Sequence, residues 1–253
     1  MILAAILFFI LGTLIGSFLN VVILRYNTGR GVIRGRSSCP HCGHELAWFE
    51  LVPVISYIFL GGRCRKCRSK ISWQYPAVEL LTGITFTAVY LKSVFLIPDL
   101  IVASLLIVIL VYDLKHKIIP DGLVYGFIIV SLLRCGILLH YSFFPILDLL
   151  AGPIMFLPFF LLWYLSSGRW MGFGDAKLAI GIGWFLGFFG ALSAIILGFW
   201  IGAVVGIILL LWKRKEVTMK TEIPFAPFLI LGLAVVYFFN IDVLGLSTLL
   251  FLR

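Results

Sequence analysis

The sequence predicts an all-α polytopic membrane protein of about eight transmembrane helices with a small cytosolic zinc-binding insert. Three observations lead there. Of the 253 residues, 62% are hydrophobic and only 12% are charged, whereas a soluble chain carries about 25% charged residues. The apolar residues fall in runs of about span length, separated by short polar segments. One of those polar segments holds two C-x-x-C pairs. A soluble fold lacks the polar surface to cover so much Leu, Ile, Val and Phe, while a bilayer solvates that surface directly. Secreted, nuclear and ordinary cytosolic enzymes are thereby excluded. The net charge of +9 would suggest nucleic acid in a soluble protein. Here the basic residues gather between apolar runs, as expected of loops retained in the cytoplasm, and no nucleic-acid role is expected.

The first span is placed at residues 2–24. It is not a secretory signal, because it lacks a charged start and no small-residue cleavage site precedes Arg25. Further spans are expected at 75–92, 98–114, 119–139, 145–166, 176–190, 192–212 and 224–250, the last tilted or broken near Asn240 and Asp242. The chain thus reads as a first helix (1–24), a four-cysteine insert (25–74) and a multi-helix domain (75–253).

If residue 1 starts outside, the cytoplasmic segments are Arg25 to Gln74, Lys115 to Lys117, Gly168 to Lys177 and Lys213 to Glu222. All but Lys92, Arg134 and Arg253 of the 20 Lys and Arg then lie inside, and the reverse topology would strand them outside. No internal repeat divides the spans into matching halves, which weakens a transporter reading.

In the insert, Cys39 and Cys42 form one pair and Cys64 and Cys67 the other. Four thiolates brought together tetrahedrally suit Zn²⁺, and soft sulfur disfavours Mg²⁺ or Ca²⁺. The competing reading is two buried or disulfide-bonded pairs. A reducing cytosol disfavours disulfides, and a short polar insert with little core benefits from a metal staple. With four cysteines the site is closed to water, so the zinc is expected to be structural and His41 and His44 to lie outside the ligand set. Cys135, lacking a partner in the sequence pattern, reads as a small apolar packer.

The chemistry is sought among the acids. Asp113 stands where an apolar run yields to Lys115, His116 and Lys117, and Asp121 follows Pro120, which should interrupt the helix. Asp175 follows Gly172-Phe173-Gly174, a pliable backbone that allows close approach, and falls in the first turn of the next span. A lone acid there reads as a cap or an interfacial charge. Two from different spans on one membrane side suggest more, because carboxylates in membranes are costly unless paired or used. Such a pair around a water is a general acid–base device: one carboxylate takes a proton from the attacking water, the other stabilises the oxyanion and helps the amine leave. No G-x-S-x-G, H-E-x-x-H or G-x-x-x-x-G-K-[ST] motif is present.

These residues, with Gly16-Ser17-Phe18-Leu19-Asn20, Tyr75-Pro76, Glu79-Leu80-Leu81-Thr82-Gly83 and Pro224-Phe225-Ala226-Pro227, resemble the bacterial type IV prepilin leader peptidases and their type II secretion and competence counterparts. The resemblance spans almost the whole chain. It implies Asp113 and Asp175 as the catalytic pair, with Asp121 a recurrent companion and Gly172, Gly174 and Lys177 supporting residues of the second aspartate's motif. It also implies cleavage of a short basic leader, usually after Gly, from prepilin or pseudopilin precursors at the cytoplasmic face of the inner membrane. Methylation of the new amino terminus with S-adenosylmethionine is implied by the resemblance alone, and beyond the precursor and the lipid bilayer the sequence points to no particular obligate protein partner. Ala226 stands where the family usually has Gly. The alternatives are a presenilin-like intramembrane protease, a proton-coupled transporter and a noncatalytic assembly scaffold.

Overall fold

The computed structural model describes residues 1–29, 31–32, 35–139, 145–212 and 224–245. The expected cytoplasmic segment Lys213 to Glu222, the end of the last expected span and Arg253 lie outside the described residues. The described residues form helices without extended strands, in two compact units, Met1–Val108 and Ile109–Arg253.

In the first unit, α1 (Ile2–Arg25) runs antiparallel to α3 (Gln74–Lys92). Phe8 stacks on Tyr90 with ring centroids 4.5 Å apart, Gly12 lies against Gly83, Gly16 lies against Glu79, and the Asn20 amide donates to the Tyr75 carbonyl (3.1 Å). A Cβ at Gly12 would come within 2.7 Å of the Gly83 Cα, and one at Gly16 within 2.8 Å of the Glu79 Cα. Two glycines four apart thus let the backbones approach closely, the usual basis of helix pairing where lipid removes the hydrophobic drive. The insert between these helices contains a 3₁₀ turn (Trp48–Leu51) and the short α2 (Ile55–Phe59). Next, α4 (Leu96–His116) begins after a cap in which the Ser93 hydroxyl donates to Asp99 (2.6 Å) and continues into the second unit. It ends where Lys117 turns to φ 54 ahead of Pro120, the interruption expected of that proline.

The second unit continues with α5 (Asp121–Leu138), α6 (Pro145–Ser166), α7 (Phe173–Trp212) and α8 (Ala226–Phe239). The 40 residues of α7 are two helices joined at Gly187 (φ 73, ψ 177). Trp163, Trp184 and Phe188 of this region show the path: Phe173 packs on Trp163, the Trp184 indole donates to the Leu149 carbonyl, and the Phe188 N–H donates to Asp148. Beyond Gly187 the chain returns, so that Phe199 packs on Phe159. The reversal is capped at both ends: Arg134 donates to the Phe185 carbonyl (2.7 Å), and Asp148 accepts the Phe188 N–H (3.0 Å). Those charges match the helix dipoles they face.

One expectation needs correction. The expected sixth and seventh spans, 176–190 and 192–212, divide at Gly187 instead, because the capped left-handed residue sits there. The last helix stops at Phe239, where Asn240 takes φ 51, the break expected near that residue, so that α8 is 14 residues long. Five described helices (α1, α4, α5, α6 and α7) are long and apolar enough to cross a membrane. The other helical stretches in the expected eight are α3, which carries Glu79, the short α8 and the second half of α7. The protein is a multi-pass membrane protein.

Candidate active site and metal centre

The four cysteines come from two knuckles built alike. In the first, the Cys39 N–H donates to the His44 carbonyl and the Gly43 N–H to the Cys39 carbonyl, both at 2.9 Å; in the second, the pairs are Cys64 to Ser69 and Arg68 to Cys64, again at 2.9 Å. Single antiparallel bridges, Ser38 with Glu45 and Arg63 with Lys70, close the turns. Gly43 (φ 69) and Arg68 (φ 56) occupy the same left-handed position. The four sulfurs all lie within 4.8 Å of one another, with Cys39–Cys67 at 3.8 Å and Cys42–Cys64 at 4.0 Å. A tetrahedral zinc with bonds of about 2.3 Å requires sulfur–sulfur edges of about 3.8 Å, so the donor set fits zinc. All four are free thiols, which sets aside the disulfide reading. Backbone N–H groups of Cys42 and His41 lower the Cys39 thiol to about 6 and favour the thiolate that a metal takes. His44 turns its Nε2 to the buried Glu50 (3.4 Å), away from the ligand role, as expected.

The acids are positioned differently, by helix ends. Asp113 lies in the last turn of α4 and is 3% exposed; its carboxylate accepts the N–H of Ala226 at the start of α8. Asp175 lies in the first turn of α7, as expected, and is 6% exposed. Its carboxylate accepts the Gly172 N–H, while its own N–H donates to the Gly172 carbonyl (3.2 Å). Asp113 is an electrostatic neighbour of Asp175. Each retains one buried oxygen, Asp113 Oδ2 and Asp175 Oδ1, with no protein hydrogen-bond partner. Gly174 gives this end of α7 its close approach: a Cβ there would sit 2.8 Å from the Ile119 Cβ, in the link between α4 and α5. Gly172 is less constrained, since the nearest atom to a Cβ there would be Asp175 Oδ2, at 3.4 Å.

Asp121 is not part of the buried carboxylate cluster. It is largely exposed and pairs with the buried Lys177 Nζ, which also lies 5.4 Å from the Tyr125 ring and 5.2 Å from the Phe173 ring. The pair joins the first turn of α5 to the second turn of α7. One group at this site has no signature in the sequence: the Ala226 N–H, which lies at the start of α8, where helix-first N–H groups lack an intrahelical acceptor. In the first unit the buried Glu79 of α3 accepts the Val54 N–H (2.8 Å) and bonds Ser17.

Residues 10–93 match the Bacterial Peptidase A24 N-terminal domain, and residues 100–207 match the Type IV leader peptidase family. The chain is 38% identical over 220 residues to a prepilin leader peptidase/N-methyltransferase of Myxococcus xanthus, covering 82% of this chain and 63% of that relative. It is 33% identical to one of Pectobacterium carotovorum (88% of both chains) and 31% identical to one of Bacillus subtilis (94% of this chain, 95% of the relative). No solved structure matches it. With both halves of the chain matched in order and relatives aligned over most of their length, the chain belongs to the type IV leader peptidase family.

Proposed function

We propose that the protein removes the leader of type IV prepilins or pseudopilins by aspartic catalysis and methylates the new amino terminus. One observation carries the catalytic assignment: Asp113 and Asp175, from separate helix ends, are buried electrostatic neighbours that each keep an unpartnered oxygen. Burying such groups without a partner costs about 1–3 kcal/mol each, and a water with a peptide carbonyl supplies the missing partners. The ionised member takes a proton from the water as its oxygen attacks the carbonyl carbon. The protonated member donates to the developing oxyanion. When the C–N bond breaks, the proton returns to the leaving amine, so neither carboxylate is consumed. The Ala226 N–H holds the Asp113 carboxylate, and the Gly172 N–H that of Asp175.

The location of the basic residues supports an inner-membrane protein whose amino terminus is outside and whose insert and acids face the cytoplasm. A precursor held in the same membrane, with its polar leader in the cytoplasm, presents its scissile bond at that face. The four cysteines would hold a structural zinc that fixes the two knuckles to each other. S-adenosylmethionine, when bound, would supply the electrophilic methyl group.

The test is mass spectrometry of a pilin-like precursor incubated with the full-length protein in lipid. Loss of the leader at its Gly junction is expected without any addition, and a further mass of one methylene on the new amino terminus when S-adenosylmethionine is present. Cleavage only within the apolar helix would transfer the assignment to a presenilin-like protease.

A further inference from the structure

The stretch joining the two cysteine knuckles does not behave as a water-facing linker. From Leu46 to Leu60 its only charged residue is Glu50, and that carboxylate is buried, accepting the Ala47 N–H (2.8 Å). The apolar side chains face outward instead: Trp48 is 80% exposed, Ile58 70% and Phe59 87%, with Phe49, Leu51 and Ile55 also exposed. Contiguous exposure on this scale marks an interaction surface.

What covers it follows from its depth. The Val54 N–H is bonded to Glu79, which sits five residues inside α3 and packs against Gly16 of α1. At 1.5 Å per residue, Glu79 lies about 7 Å inside the start of α3, and Gly16 about 13 Å before the end of α1 at Arg25. The linker is therefore tied back alongside the membrane helices, not held out beyond them. The same ends of those helices also expose apolar side chains, Phe18, Leu24 and Leu80. Val54 adopts φ 61, a conformation strained for a β-branched residue, and the Glu79 bond holds it there. The chemistry around the patch is that of a bilayer interface: Tyr57 packs on the exposed Trp73 (5.4 Å), and Arg65 lies 5.2 Å over the Phe49 ring beside the exposed Lys66 and Arg68. Aromatic rings at headgroup level with basic residues above them suit an anionic membrane surface.

We infer that residues 48–59 form an interfacial membrane anchor that lays the cysteine knuckles against the bilayer surface. This rests on the multi-pass membrane assignment and is independent of the peptidase reading. The experiment uses the full-length protein in vesicles of phosphatidylcholine and phosphatidylglycerol, with bromine atoms either near the carbonyl region or near the chain ends. The emission of Trp48 is obtained by subtracting the spectrum of Trp48→Phe, whose zinc content reports folding. The same measurement is made on the indole introduced by Phe59→Trp in the Trp48→Phe background, so one misfolded variant does not decide the matter. Both indoles should lose emission at least about twofold more to the shallow bromines than to the deep ones, and be little quenched by aqueous iodide. Quenching by iodide with none from brominated lipid would overturn the anchor. Shielding from both would also overturn it, and would assign the patch to a protein partner, either a second copy or the precursor helix.

Discussion

The cysteine knuckles and the aspartate site are both clusters of ligand-type side chains, yet they are assembled by opposite means. Each knuckle is set by its own backbone, through hydrogen bonds that span four or five residues, and the halves repeat one another down to the left-handed residue. The aspartate site is assembled from the end of α4 and the starts of α7 and α8, and depends on how Gly174 seats Ile119. A cluster made locally should tolerate changes in distant packing. One made from helix ends should be sensitive to single atoms at the contacts between them.

The largest expected effect breaks the chemistry and leaves both architectures standing. Asp113→Asn and Asp175→Asn should each lower the rate of leader removal by at least about 10²-fold, because an amide cannot exchange the proton that general acid–base catalysis needs. Zinc content, measured on the same preparations, should stay unchanged. Near-normal cleavage by either variant would remove that residue from the catalytic pair.

A packing change should come next. The added methyl of Gly174→Ala lies 2.8 Å from the Ile119 Cβ, an overpacking expected to cost about 1–3 kcal/mol and to slow cleavage by roughly 10-fold through displacement of Asp175. Adding Ile119→Ala should restore part of the rate, a coupling visible in a double-mutant cycle. If the two substitutions are simply additive, Gly174 is not placing the acid through Ile119.

The smallest effect lies in the knuckles and has opposite signs at equivalent positions. Gly43→Ala should weaken zinc retention by about 1 kcal/mol, because a Cβ is unfavourable at positive φ. Arg68→Gly should strengthen it by up to about 1 kcal/mol for the same reason. Competition with a chelator measures both, and leader cleavage should be little changed in either. Shifts of the same sign would show that the two knuckles are not energetically equivalent.

The sequence was most legible where structure is local. The two C-x-x-C pairs announce their knuckles because the ligand spacing is itself the fold of the turn, and Pro120 marks the end of α4 because the missing N–H acts at the site of substitution. The runs of Leu, Ile and Phe mark the spans without marking their ends. Gly187 is one glycine among several in an apolar stretch, and its reversal depends on Arg134 and Asp148 arriving from α5 and α6. The insert was expected to be polar, and its ends are; the Leu46 to Leu60 stretch is apolar in plain view, but its depth depends on the bond from Val54 to Glu79. The acids were legible as candidates, while the Ala226 N–H was hidden because a backbone donor has no signature of its own. Asp121 was legible among the acids and Lys177 was singled out by resemblance, and only packing shows them as partners.

The turn at Gly187 also fixes a length. The half of α7 that carries Asp175 has about 14 residues and rises about 21 Å, as does the 14-residue α8, whereas the hydrocarbon layer of a typical bilayer is about 30 Å thick. Lipids beside these two helices must shorten their reach by several ångströms or yield that depth to water. Hydrophobic mismatch thus becomes a property of the second unit, and cleavage should respond to acyl-chain length, proceeding faster in thin bilayers that match the short helices than in thick ones that stretch around them.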